Sequence, residues 1–333
     1  MSVGAQRKKK PVAKAKPVKE EVTEDPRIAQ MRASTQQVLF IDSMVVDARD
    51  FMSHIPLSAH VGKLTQTSGL GTFTNEMGDH RLATLQRDTT VSIMSSDFIA
   101  NRWTEPQAVV GIGEASACNP FLMPDGITLY FAQKGEKSIG GYDIFVTRYD
   151  SQKGTFLRAE NLGMPFASES NDLFYAVDEF NQLGYFVTDR RQPAGKVCIY
   201  VFIPQETRRI YQSEAYTEDQ MSRLAGIHRM ADTWNNANKQ QRSEAMERLV
   251  SARRATDNGR SMKSQSQSQT ELDSLRHEAE VLSKALTLAR NHYATASEGE
   301  RVTLRIKILT SEQQLESLQR EIRNREKQIP YQN

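Results

Sequence analysis

The chain has 333 residues, is 38% hydrophobic and carries a net charge of only +2. That length suits about two domains, the near-neutral charge sets up no global field for nucleic acid, and no apolar run of about 18 residues offers a membrane span. Two cysteines, Cys118 and Cys198, do not make a disulfide framework and read as buried thiols in strands of different units.

Residues 1–29 read as a disordered basic linker. Arg7-Lys8-Lys9-Lys10 is followed by alternating Pro, Val, Ala and Lys and then by Glu20, Glu21, Glu24 and Asp25. Such a stretch lacks the aromatic and branched mass that offsets ordering entropy. Ser2-Val3-Gly4-Ala5-Gln6 looks like the small-residue end of a secretory signal whose apolar region lies upstream of this start. The expectation is export, with a cytoplasmic setting as the alternative.

From about 30 to 212 the pattern is β. Val38 to Ile41 and Met44 to Val46 form a first apolar segment, and Ile55, Leu57, Val61 and Leu64 continue it around Pro56. A second unit runs from Phe73 to Pro106 and turns at Met77-Gly78-Asp79. The central unit, Cys118 to Gly163, places Pro124-Asp125-Gly126 between aromatic and branched runs. Pro presets φ, Asp bonds the local backbone and Gly accepts positive φ, so this is a hairpin turn. The flanking Leu129-Tyr130-Phe131 and Asp143-Ile144-Phe145-Val146 suit a pleated, half-buried surface. A last unit holds Leu173 to Val177, Gly184 to Asp189 and Val197 to Ile203. The units echo one another: Leu129-Tyr130-Phe131 matches Gly184-Tyr185-Phe186, and Asn101-Arg102-Trp103 matches Gly154-Thr155-Phe156. Units of about 40–50 residues with about four short strands each are the mark of propeller blades, because one small sheet cannot cover both of its faces.

Asn119-Pro120, then Pro124-Asp125-Gly126 before Leu129-Tyr130-Phe131, then Gly141-Tyr142-Asp143-Ile144-Phe145 closely resembles the WD40-like Pro-Asp-Gly (PD40, TolB-like) β-propeller repeat. That repeat occurs in envelope proteins of Bacteroidota, often beside peptidoglycan-binding domains. The resemblance implies a propeller and a periplasmic or envelope setting. It makes Asn119, Pro120, Pro124, Asp125, Gly126, Gly141 and Asp143 residues of the turn and blade motif. The expected fold is therefore mainly β plus α: a small or partial β-propeller of about four four-stranded units, then a helical, coiled-coil C-terminal region.

Thr217-Glu218-Asp219-Gln220 reads as a capping box opening a helical segment over 213–256. Residues 257–270, with Gln265-Ser266-Gln267-Ser268, read as a Ser/Gln linker. Over 271–333 the apolar steps of three and four are regular: Leu272, Leu275, Ala279, Leu282, Leu286, Ala289 and Tyr293, then Leu304, Ile308, Leu315, Leu318, Ile322 and Ile329, with Ser311 and Arg325 in seam positions. One Gly-containing break at Ser297 to Glu300 makes this an antiparallel helical hairpin or a broken coiled coil.

No catalytic constellation, metal-ligand spacing or phosphate loop is evident. Gly111-Ile112-Gly113 lacks the third Gly of a dinucleotide loop, and His54 and His60 have no ligand partners at suitable spacing. The chain is read as a non-enzyme without cofactors. Trp103, Tyr142 and Tyr185 are candidates for a binding surface, and Arg190 and Arg191, read as an exposed loop, for contacting an anionic partner. The expected function is a non-catalytic binding and scaffold protein of the bacterial envelope. Its partner would be a protein, peptidoglycan-associated or not, or the cell wall, and residues 271–329 would lie against the propeller as an intramolecular hairpin, form a homodimer or dock on a heterologous partner. The alternatives are a hydrolase-like enzyme on propeller loops and an intracellular scaffold that uses its basic tail on nucleic acid.

Overall fold

The computed structural model describes residues 25–88, 90–113 and 115–326, without the side chains of 87 and 259–269. The signal-like and basic runs expected at the N-terminus, and Ile329 of the seam, lie outside these residues. The chain opens on α1 (Pro26–Ala33), where Asp25 accepts from Arg27 N and Pro26 fills the first turn, so the linker expected over 1–29 gives way to helix at 26. Ile28 of α1 packs with Met164 and Ala225.

Among the described residues fifteen strands follow. They are β1 (Leu39–Asp47), β2 (Lys63–Thr67), β3 (Leu70–Thr74), β4 (His80–Arg87), β5 (Thr90–Ile99), β6 (Arg102–Trp103), β7 (Gln107–Ala108), β8 (Ser116–Leu122), β9 (Thr128–Lys134), β10 (Asp143–Asp150), β11 (Thr155–Phe156), β12 (Glu160–Asn161), β13 (Asp172–Asp178), β14 (Leu183–Thr188) and β15 (Lys196–Ile203). They form three antiparallel sheets, ordered β2-β3-β4-β5-β6 with β7 on β5, β8-β9-β10-β11 with β12 on β10, and β1-β15-β14-β13. The expected four units are thus three. The first apolar segment makes no sheet of its own: β1 pairs along β15 from Leu39↔Ile203 to Asp47↔Lys196, and β2 pairs with β3 in the first sheet.

The first two sheets repeat one design. A long hairpin, β4-β5 or β9-β10, is followed by a two-residue strand that pairs on its last strand, as Phe98↔Trp103 and Tyr149↔Phe156. Both ring pairs stand 5.3 Å apart. The turn before each short strand uses positive φ, 67° at Asn101 and 68° at Gly154, which Asn and Gly tolerate best.

The sheets share one core. Phe73 of β3, Phe121 of β8 and Phe174 of β13 meet edge to face at 5.2 and 6.3 Å, and Phe51 joins Phe174 at 6.0 Å. All four are fully buried. Each such ring contributes about 2–3 kcal/mol of burial, and with the aliphatic side chains around them, such as Leu82, Ile93, Leu129 and Val187, they bind the inner strands of the three sheets together.

Beyond β15 the chain is helical. In α2 (Glu218–Ala225), Thr217 and Gln220 form a reciprocal capping box. Trp234 lies past α2, with Nε1 donating to Phe40 O at 2.7 Å. The long α3 (Lys239–Thr295) buries Ala245, Leu249 and Ala252 and pairs Arg253 with Asp42 of β1 at 2.7 Å. It continues as helix through 257–270, where composition suggests a linker. It then packs antiparallel to α4 (Glu298–Glu326), an orientation pinned by Arg276–Glu326 at 2.7 Å and Arg290–Glu312 at 2.6 Å and by Arg325–Glu271. No helix among the described residues is long and apolar enough to cross a membrane.

Candidate functional site

The Pro-Asp-Gly segment closes the β8–β9 hairpin. The Asp125 carboxylate accepts from Ile127 N at 2.7 Å, Thr128 N at 2.9 Å and the Thr128 hydroxyl at 2.8 Å. Partial burial works to raise this carboxyl, but those hydrogen bonds outweigh it and hold it below its ordinary value. Gly126 takes φ of 67°, and Pro124, Asp125 and Gly126 are all exposed.

Asn119 and Pro120 lie at the irregularity in β8 between Cys118 and Phe121. Asn119 is buried with φ of 53°. Its backbone N donates to Thr84 Oγ1 of β4 at 2.9 Å, its Oδ1 accepts from Gly71 N of β3 at 3.0 Å, and its Nδ2 donates to Leu173 O of β13 at 2.9 Å. One side chain therefore ties all three sheets. A Cβ on Gly71 would approach Asn119 Oδ1 to 2.7 Å and Met52 more closely still, so the site needs glycine.

A second buried polar node joins β10 to the third sheet. Asp143 accepts from Ile139 N and Asn161 Nδ2, both at 2.8 Å, while its Oδ1 has no partner among the described residues. Burial pushes its carboxyl up to about 6, against those hydrogen bonds. Arg190 is not on an exposed loop. Its side chain is 3% exposed and its Nη2 meets Asp172 Oδ1 at 2.6 Å, the Asp172 side chain being fully buried. The same Nη2 donates to Pro165 O at 2.9 Å, and the guanidinium lies over Phe186. Gly141 fits beneath this node, since a Cβ there would reach Asn171 Oδ1 at 2.0 Å.

The expected binding residues do not converge. Arg191 is exposed but its Nη2 caps the end of α2, donating to Gly226 O at 2.8 Å and Ile227 O at 2.7 Å. Tyr185 is fully buried, its hydroxyl reaching Pro56 O at 3.4 Å. Tyr142 is half-buried against the aromatic cluster of the third sheet. Trp103 sits at the rim of the first sheet, with Arg81 over its ring at 4.3 Å. The aromatic alternation that marks these residues in the sequence reports their packing against neighbours.

Among the described residues, concavities lie between sheets instead, two of which bear on function. One, of 480 Å³, separates the first and second sheets and is lined by His80, Ser95, Asp97, Thr104 and Tyr149 among others. His80 Nδ1 meets Asp97 Oδ1 there at 2.7 Å. The other, of 650 Å³, lies where β9, β13, the end of β15 and the start of α3 meet. Its floor includes Tyr130 and Tyr175, whose rings are 4.6 Å apart, and glutamines stand around it: Gln36, Gln182, Gln205 and Gln241. Sequence reading passes over this groove because its residues come from five separate segments. Tyr130 and Tyr175, which each lie in an apolar strand run, are the only local trace of it. Among the described residues, no three His, Cys, Asp or Glu side chains gather as metal ligands. Cys118 and Cys198 are free and buried, and burial pushes the Cys118 thiol up to about 12.

The α3–α4 hairpin presents a different kind of surface. Its seam holds Leu272 and Leu286 buried, with Leu304, Ile308, Leu315, Leu318 and Ile322 half-buried. On the opposite face of α4, Val302, Ile306 and Leu309 are 64%, 65% and 51% exposed. No family model matches the chain, and neither the curated proteins nor the solved structures hold a match to it.

Proposed function

We propose that this chain is a non-catalytic binding and assembly protein of the bacterial envelope. In this reading the three sheets are propeller-like units whose surface takes a protein or cell-wall partner, and the α3–α4 arm pairs with a second copy. The repeated hairpin-plus-short-strand design of the first two sheets and the completion of the third by β1 support the propeller-like reading. The envelope setting rests on the resemblance of Asn119 to Phe145 to the Pro-Asp-Gly repeat.

The observation that carries the assembly role is the bare stripe on α4. Val302, Ile306 and Leu309 repeat at helical spacing on the face turned away from the seam. Their spacing about Ile306 reads nearly the same in both directions. An antiparallel two-fold would set Ile306 against its own copy and Val302 against Leu309, the self-complementarity an isologous contact requires. A hairpin of two helices covers only one stripe on each, so a further helix is the natural cover. The test is full-length protein carrying Val302→Ser, Ile306→Ser and Leu309→Ser together, measured by light scattering over a concentration series. A dimer that becomes a monomer supports the reading, and a mass identical to that of the parent at every concentration refutes it.

One observation favours the enzymatic alternative: the His80–Asp97 pair beside a cavity that also holds Ser95 and Thr104, a pairing that orients an imidazole for proton transfer. Hydrolysis of a simple activated ester that is abolished by His80→Ala would establish it.

A further inference from the structure

We propose that the groove between β9, β13, β15 and α3 binds a neutral oligosaccharide. The inference rests on reading the β body as the binding part of the molecule, and it is independent of how the arm assembles. The groove measures 650 Å³, inside the range of about 300–1,000 Å³ for small-molecule sites.

The chemistry of its surface selects the ligand. Tyr130 and Tyr175 lie with ring centroids 4.6 Å apart, and Phe202 stands 5.4 Å from Tyr175. Tyr175 and Phe202 are buried and brace the half-buried Tyr130, whose exposed part covers the C–H face of a pyranose ring, the apolar side of an otherwise wet molecule. Burial raises the Tyr130 hydroxyl, so it remains a protonated donor. Around these rings stand Gln36, Gln182, Gln205 and Gln241. A carboxamide donates and accepts from one side chain, which is what a row of sugar hydroxyls, each donor and acceptor, demands.

Charge and backbone argue against the other common ligands. The groove is lined by Glu179, Glu206 and Glu244 against Arg248 alone, and Arg248 Nε already donates to Asn181 O at 3.0 Å. A phosphate or nucleotide would meet three carboxylates and one partly committed cation. An extended peptide binds by adding to a free strand edge, but β13, the edge strand here, packs on β9 and β10.

The experiment titrates the full chain with triacetylchitotriose and with cellotriose, using calorimetry and saturation-transfer NMR, with ATP and a pentalysine peptide as controls. Binding of at least one trisaccharide at up to about 10 mM, with neither control bound, is expected. Gln36→Leu combined with Gln241→Ala should weaken it by roughly tenfold or more while leaving the melting temperature in place. Tyr130→Phe, which keeps the ring and removes one donor, should weaken it by roughly threefold, and Gln205→Ala replaces the double variant if that variant does not fold. The proposal is overturned if neither sugar binds, if a sugar binds with the same affinity to every variant, or if the peptide or the nucleotide competes for the groove.

Discussion

The β body and the α3–α4 arm are built on opposite terms, though one helix runs through both. In the body, contacts join residues far apart in sequence. Asn119 ties β3, β4 and β13, four phenylalanines interlock the inner strands, and the Arg190–Asp172 pair is sealed from water. In the arm, contacts follow a local heptad-like rhythm, most seam residues stay half-exposed, and the cross-helix ion pairs lie in solvent. The difference separates what each part can lose. A buried polar tie in the body is irreplaceable because its removal strands partners in a dry interior, whereas an exposed ion pair in the arm is screened and nearly dispensable.

The sharpest way to break this comparison is Arg190→Ala. It leaves the Asp172 carboxylate buried without its counter-ion, and a loss of about 3–5 kcal/mol is expected in chemical unfolding of the body; a loss below about 1 kcal/mol would show that the node carries no weight. Asn119→Ala should cost about 3 kcal/mol, since Gly71 N and Leu173 O lose their partner and a non-Asn residue is held at positive φ. A small effect there would mean that the apolar contacts alone hold the sheets.

Acid titration of Asp143 sharpens the contrast further. Its folded value, about 6, lies above its ordinary 3.8, so the neutral form is the one folding favours. That stabilisation is complete below about pH 4 and is lost as pH rises through 6. From pH 4 to pH 7 the unfolding free energy of Asp143→Asn should therefore gain on the wild type by on the order of 2 kcal/mol, and a constant difference across that range contradicts the assignment. In the arm, Leu286→Ala should lower the melting of a separate helical transition by about 2 kcal/mol and leave the body's transition where it was; a coincident shift of both would unite the two parts. At the small end, Arg290→Gln should change stability by less than about 1 kcal/mol.

How much of this could be read from the chain follows the same divide. The seam from Leu272 to Ile322 and the Thr217–Gln220 cap were legible because they depend on neighbours three or four residues away. The turn at Asp125 was legible for the same reason, its partners being Ile127 and Thr128. The number of sheets was not, because it depends on β1 finding β15 across most of the body. Arg190 looked like a surface cation since its partner Asp172 lies on another strand, and only the pairing reveals its burial. Composition alone marks 257–270 as a linker, whereas α3 is helical through it, its Arg, Met, Lys and Gln residues being good helix formers. The groove at Tyr130 and Tyr175 draws on segments too scattered for any motif to register.

The pairing of β1 with β15 also orders events in time. Residues 39–47 are made early, yet their ladder exists only once residues 196–203 have emerged. The newborn body must wait, clasp open, until its final strand arrives. A lesion near the beginning of the body, such as a proline in β1, will thus behave like a truncation at its far end: synthesis completes, and the clasp never shuts.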